Sequence, residues 1–238
     1  MYKNYIFDLY GTLVDINTDE DSILLWEKLS LFYAFNGAYI KKEDLKSLYT
    51  MLVKKELSLV QNTKYPDIKL EEIFIKIYSY KGVMASCELG AQTACIFRIL
   101  SIKYIKLYDG VIEFLNLLKS KNKKIYLLTN AQKVFTEKEI ILLDIYNYFD
   151  GIHYSSDFGA CKPDYNFYNN LIETYNLDIN ESIMIGNDYI CDIKGAQEIG
   201  LDTLYFHSNL SPEHPKDFKA IYKILDGNFK KIIKLILQ

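Results

Sequence analysis

A few polar residues close the apolar runs of this 238-residue chain. Asp8 ends the run Tyr5-Ile6-Phe7, with Thr12 four residues on. Thr129 and Asn130 follow Ile125-Tyr126-Leu127-Leu128, and Asp188 and Asp192 follow Ser182-Ile183-Met184-Ile185. Lys162 lies in Gly159-Ala160-Cys161-Lys162-Pro163-Asp164, after the short run Gly151-Ile152-His153-Tyr154. A carboxylate at the end of a buried strand serves as a nucleophile, as a metal ligand, as both, or merely as the cap of the next turn. Taken singly, each residue has an ordinary role. Thr12 reads as a turn hydroxyl, Thr129 as a helix N-cap, Lys162 as a solvated charge and Asp188 as a cap. Their joint placement suggests more, because ligand sites of parallel sheets lie just beyond the carboxyl ends of the strands.

The elements that must position these residues alternate between strand and helix. Short, fully apolar runs are expected of buried parallel strands. Strands are expected at 3–8, 125–128, 151–154, 182–185, 201–206 and 220–225. Helices are expected from Val111 to Leu118 behind an Asp109 N-cap, over 133–144, 164–175 and 190–199 with Gly200 just past the end, and over 227–237. Between about Thr18 and Ser101 strand-like runs give way to helical spacing. Ile23, Trp26, Leu29 and Phe32/Tyr33 form one stripe, preceded by Asp19, Glu20 and Asp21 where a helix start favours acids. Leu45, Leu48, Leu52 and Leu59, then Leu70, Ile73, Phe74 and Ile77, then Ala91 to Leu100 mark three more helices. The expected architecture is α/β: a three-layer, Rossmann-like core with a parallel sheet (1–16 and 106–238) and a helical insert or cap (17–105). The connections near residues 16 and 105 are the expected hinge.

Composition narrows the function. The net charge is −3 and Arg98 is the only arginine, so no basic field recruits nucleic acid. No apolar run approaches the ~18 residues of a membrane span, and the N-terminus lacks the pattern of a signal peptide. A cytoplasmic protein acting on a small-molecule partner is expected, with neither nucleic acid nor membrane involved and the oligomeric state left open. Cys87, Cys95, Cys161 and Cys191 form no CxxC pair and read as free thiols. GxSxG, GxGxxG and Walker A sequences are absent.

The motif order resembles that of the haloacid dehalogenase superfamily of hydrolases, in the subfamily with a helical cap after the first strand. The resemblance extends over essentially the whole chain. It implies Asp8 as nucleophile, Thr129 as the hydroxyl on the substrate's phosphoryl group, and Lys162 as partner of both. It implies Mg²⁺ as cofactor, held by Asp8, the backbone carbonyl at Tyr10 and Asp188, with Asn187 and Asp192 in support. Thr12, Asn130 and Arg98 are the candidate substrate-binding side chains. Arg98 has a competing role as a solvated or salt-bridged residue near a helix end.

Asp8-Leu9-Tyr10-Gly11-Thr12 departs from the family's phosphatases at Tyr10, where they carry a second Asp as general acid and base. That help is worth ~10²–10⁴ in rate, and a phenol titrating near ~10 replaces it poorly. Tyr10 is similar to the residue in the family's 2-haloacid dehalogenases, whose halide leaves without a proton, and Tyr168 follows Lys162 as a tyrosine does there. Those enzymes use no metal and grip the substrate carboxylate with an early arginine that this chain lacks. Three functions therefore stand: Mg²⁺-dependent hydrolysis of a small phosphorylated metabolite through an aspartyl intermediate, 2-haloacid dehalogenation, and a binding or regulatory role for a weakened site.

Overall fold

A computed structural model describes residues 2–236. The chain runs β1 (Asn4–Phe7), β2 (Val14–Thr18), α1 (Ile23–Phe35), α2 (Lys42–Leu59), α3 (Leu70–Tyr80), α4 (Cys87–Ser101), β3 (Ile102–Leu107) and α5 (Val111–Ser120). It continues with β4 (Lys124–Thr129), α6 (Lys133–Leu142), β5 (Gly151–Tyr154), α7 (Ser155–Phe158), α8 (Tyr165–Tyr175) and β6 (Ser182–Gly186). A π-helical turn (Tyr189–Lys194), α9 (Gly195–Glu198), β7 (Asp202–Phe206), β8 (Tyr222–Ile224) and α10 (Lys230–Ile236) complete it.

Six strands form one parallel sheet in the order β5-β4-β1-β6-β7-β8. β1 lies in the middle; β4 and β5 extend the sheet one way, and β6, β7 and β8 the other. The carboxyl end of β1 is thus the switch point of the sheet, where a crevice opens between diverging connections. All four β1 residues are buried. Tyr5 and Phe7 pack edge-on against Phe114 of α5, while Ile6 faces Phe167, Tyr168 and Leu171 of α8 on the other side. Burial on both faces is what an apolar, non-alternating strand requires. Each large side chain so buried contributes ~1.5–3 kcal/mol. The layered α/β architecture expected from the sequence is the one observed.

Local differences have local causes. The segments near 16 and 105 are strands: β2 and β3 pair antiparallel, with Ile16 opposite Ile105. Asp109 is not the cap of α5; Gly110, at φ 95°, occupies that position without a side-chain bond. Asp19, Glu20 and Asp21 lie before Ser22, the residue that caps α1, so its first turn holds no acid. The expected helix over 190–199 begins instead as the wide π turn, a distortion frequent at functional sites. Gly200 takes the left-handed conformation expected just past a helix end. The terminal helix starts at Lys230, later than expected, and Leu237 of that expectation lies outside the described residues.

Helices α1–α4 have their own apolar core, including Leu25, Trp26, Leu29, Tyr33, Phe74, Ile77 and Phe97, with Phe135 of α6 joining from the sheet side. Helices α3 and α4 pack closely at Gly90. A Cβ there would lie 2.5 Å from Ile75 Cγ1 and 2.8 Å from the Glu71 carbonyl oxygen. Helix propensity favours Ala over Gly by ~0.8–1.0 kcal/mol, whereas overpacking costs ~1–3 kcal/mol. Gly90→Ala is therefore expected to destabilise the protein, read as a lower urea midpoint with an unchanged m value. A raised midpoint would show that the helices separate freely.

Candidate active site

The turn after β1 fixes Asp8. The amide of Asp8 donates to the Ile185 carbonyl of β6 (3.0 Å), and three amides, from Thr12, Leu13 and Val14, converge on the Leu9 carbonyl. Gly11 adopts φ 87°, and a Cβ there would meet Asn187 Nδ2 at 2.2 Å. Glycine is required twice over, for its dihedral and for this approach. The Thr12 hydroxyl, fully buried, sits 3.2 Å from both Asp8 Oδ2 and Asn187 Oδ1 and donates to one of them at a time.

Lys162 lies across the site from this turn and is 2 % exposed. Its Nζ donates to Asp8 Oδ1 (2.8 Å) and to Asp192 Oδ1 (2.7 Å). Burial opposes the ammonium, but Asp192 and Asp8 outweigh it and hold its pKa above the usual range. Burial pushes the Asp192 carboxyl up, against the pull of Lys162. Asp192 Oδ2 accepts the Asp188 amide (2.9 Å), so both of its oxygens are engaged by the protein. Asp188 caps the π turn: Oδ1 accepts from the amides of Ile190 (2.8 Å) and Cys191 (2.9 Å). Asn130 clamps the backbone of Lys162, accepting its amide (2.7 Å) and donating to its carbonyl (3.1 Å). The Thr129 hydroxyl is buried at the end of β4 and has no hydrogen-bond partner among the described residues. The cost of burying a bare hydroxyl is met when a ligand supplies the bond.

These residues enclose a cavity of about 180 Å³. Asp8, Tyr10, Thr129, Asn130, Lys162, Asn187, Asp188 and Asp192 line it, together with Cys191, Leu210 and Pro212. Two expected substrate contacts do not. Thr12 lies beneath Asp8 and supports it. Arg98, from α4, is a buried salt-bridged residue. Its Nε donates to Glu139 Oε1 (2.6 Å) and its Nη2 approaches Oε2 (3.4 Å). The guanidinium stacks over Phe135 (4.8 Å) and Tyr10 (5.4 Å). The Tyr10 hydroxyl completes this network, donating to Glu139 Oε2 and lying 3.0 Å from Thr136 Oγ1. Burial first, then the Glu139 carboxylate, push the phenol above its ordinary value. Tyr168 is buried and donates to the Cys191 carbonyl (2.5 Å).

Glu139 and Thr136 escaped the sequence reading because they sit on α6 at ordinary helical spacing. Asp67 escaped it too. The segment before α3 pairs with the Lys162 loop: the Cys161 amide donates to the Tyr65 carbonyl (2.7 Å) and the Asp67 amide to the Gly159 carbonyl (3.1 Å). Asp67 accepts from Ser155 (2.6 Å) and Gln132 (3.0 Å), tying the helical insert to the loops after β4 and β5. Burial and the neighbouring Asp67 push the Cys161 thiol up to about 12, so it is a poor nucleophile at neutral pH.

The donor set suits a hard cation. The oxygens of Asp8 and Asp188, the Asn187 amide and the Tyr10 carbonyl are the ligand type Mg²⁺ takes, usually with only one or two carboxylates and several waters. Among the described residues no three or more His, Cys, Asp or Glu converge as an all-protein cage. Asp8 and Asp192 share one ammonium and Asp188 lines the same cavity without one, an excess of negative charge that a bound cation relieves. With both oxygens committed, Asp192 fits as a support for Lys162 and Asp188, not as a direct ligand.

A family model described as haloacid dehalogenase-like hydrolase matches residues 2–200. The pyrimidine 5′-nucleotidase PynA of Streptococcus pneumoniae is 23% identical over 220 residues, covering 90% of this chain and 87% of that protein. The HAD-hydrolase YfnB of Bacillus subtilis is 27% identical over 227 residues, covering 90% and 88%. A magnesium-bound crystal structure of YfnB superposes with a TM-score of 0.58 at 18% identity, covering 100% of this chain and 99% of that one. A 2-haloacid dehalogenase from Pseudomonas syringae superposes with a TM-score of 0.63 at 17% identity, covering 99% of each chain. Among the described residues no helix is long and apolar enough to cross a membrane.

Removing one partner of a buried ion pair costs ~3–5 kcal/mol because the other is left unpaired. Glu139→Ala is expected to lose that much in urea denaturation, and Glu139→Ala with Arg98→Met to recover most of it. A single-variant loss below ~1 kcal/mol, the range of surface pairs, would show that the pair is solvated.

Proposed function

The chain belongs to the haloacid dehalogenase-like hydrolases, and on that premise we propose that it hydrolyses a small phosphorylated metabolite through Asp8, with Mg²⁺ as cofactor. The observation that carries this reading is the buried ion pair of Lys162 with Asp8, beside the unpartnered Thr129 hydroxyl. PynA, a nucleotidase by name, and YfnB, crystallised with magnesium, support the phosphate chemistry and the metal.

The side chains take the following roles. Lys162 holds one Asp8 oxygen and aims the other at phosphorus. The Thr129 hydroxyl and the Lys162 ammonium bind oxygens of the phosphoryl group, the first gaining its missing hydrogen bond. Asp8 attacks, an Asp8–phosphorus bond forms and the bond to the leaving oxygen breaks. Water then attacks the same phosphorus, Asp8 is released, and inorganic phosphate departs with the proton balance closed by solvent. Asp188, Asp8 and the Tyr10 carbonyl would hold Mg²⁺, which when bound offsets the charge gathering on the phosphoryl oxygens. Leu210 and Pro212 are the apolar lining residues offered to the remaining part of the substrate.

Tyr10 in place of an acid favours one alternative, a 2-haloacid dehalogenase. Against it, the sole arginine is committed to Glu139 and lines no part of the cavity.

A panel of phosphoryl donors, assayed with Mg²⁺ and with EDTA, is expected to show metal-dependent phosphate release that Asp8→Asn abolishes. Halide release from 2-chloropropionate in EDTA, with no phosphate released from any donor, would replace this reading with the alternative.

A further inference from the structure

In the phosphatases whose first motif this chain resembles, the residue two beyond the nucleophile gives the leaving group its proton. In this chain it is Tyr10, and its hydroxyl is turned out of the cavity. Its hydrogen goes to Glu139, its oxygen faces Thr136, and Arg98 covers the ring. Glu139 is buried and held by Arg98, so neither end of the pair swings in without breaking a buried ion pair. The cavity lining supplies no substitute. Thr129, Asn130 and Asn187 carry no readily ionised proton, and two hydrogens of the Lys162 ammonium go to Asp8 and Asp192. Asp192 accepts on both oxygens, from Lys162 and from the Asp188 amide, and Asp188 accepts from two amides of the π turn, so both act as acceptors and give no proton. Cys191 turns its sulfur toward Asn130 Nδ2, at 3.9 Å. Among the described residues no histidine or glutamate lines the cavity.

We propose that this site takes phosphoryl donors whose leaving group departs as a stable anion, acyl phosphates foremost, and discriminates against alkyl phosphomonoesters. The proposal rests on the phosphohydrolase reading above. In the first step the Asp8 oxygen–phosphorus bond forms and the phosphorus–oxygen bond of the donor breaks. The electron pair leaves on a carboxylate, which titrates near ~4 and needs no proton. An alkoxide leaving group would need one, and the site has none to give. The same gap governs the second step. Water attacks the Asp8 phosphoryl group without a general base, the phosphorus–Asp8 bond breaks, and the water's proton passes to solvent. Hydrolysis of the phosphorylated protein is therefore the slow step.

The wild-type protein with Mg²⁺ tests this without any variant. Measured against acetyl phosphate, p-nitrophenyl phosphate, phenyl phosphate and glycerol 3-phosphate, kcat/KM is expected to fall steeply down that order. Acetyl phosphate should lead glycerol 3-phosphate by at least the ~10²–10⁴ that general acid help is worth. With p-nitrophenyl phosphate a burst stoichiometric with protein should precede a slow steady state, whose kcat matches that for acetyl phosphate. Tyr10→Asp combined with Glu139→Gln, which avoids placing two carboxylates together, should raise turnover of glycerol 3-phosphate and shrink the burst. Comparable kcat/KM for acetyl and glycerol phosphates, or linear release without a burst, would overturn the proposal while leaving the phosphohydrolase reading intact. Hydrolysis of no donor at all would overturn both.

Discussion

The ammonium of Lys162, buried between Asp8 and Asp192, is the interaction on which the site depends. It joins three loops that are far apart in sequence, after β1, β5 and β6. A buried lysine without partners would be costly; with two carboxylates at hydrogen-bond distance it stays charged. It also fixes what its partners do. Asp8 has one oxygen held and the other beside Thr12. Asp192, holding both Lys162 and the Asp188 amide, lies inside the π turn that Asp188 caps.

Around this centre, three of the attachments of the helical insert matter most. The β2–β3 ribbon carries the covalent crossings, Arg98 of α4 reaches Glu139 of α6, and Asp67 binds Ser155 and Gln132. The second attachment holds Tyr10 and the third borders the Lys162 loop. The insert contributes no side chain to the cavity lining, yet it bears on two residues of the site through these contacts. Tyr10 therefore links the geometry of the insert to the chemistry at Asp8. What replaces an acid here is a packed, hydrogen-bonded phenol, and the site's preference among leaving groups follows from that.

Much of this was legible in the sequence, because buried parallel strands leave a strong signal. All six sheet strands were visible as apolar runs, and the polar residues closing them do meet at one edge of the sheet. What stayed hidden has a common physical character. Glu139 and Asp67 act through partners some forty and ninety residues away in sequence, Arg98 and Ser155, and no local period encodes such pairs. Arg98 was visible as the lone arginine, and a solvated or salt-bridged place near a helix end was one of its two readings, but neither its burial nor its partner Glu139 was visible. The β2–β3 ribbon was masked by the helical texture between its strands. The direction of the Tyr10 ring, which decides its role, is a matter of packing against α4 and α6.

The most direct measurement is the site of covalent attachment. The protein is mixed with acetyl phosphate and Mg²⁺, quenched in acid during turnover and digested, and the peptides are weighed. The account predicts a phosphoryl group on the Asp8 peptide, in near-stoichiometric amount because its hydrolysis is slow. Continued phosphate release with the Asp8 peptide unmodified would contradict it.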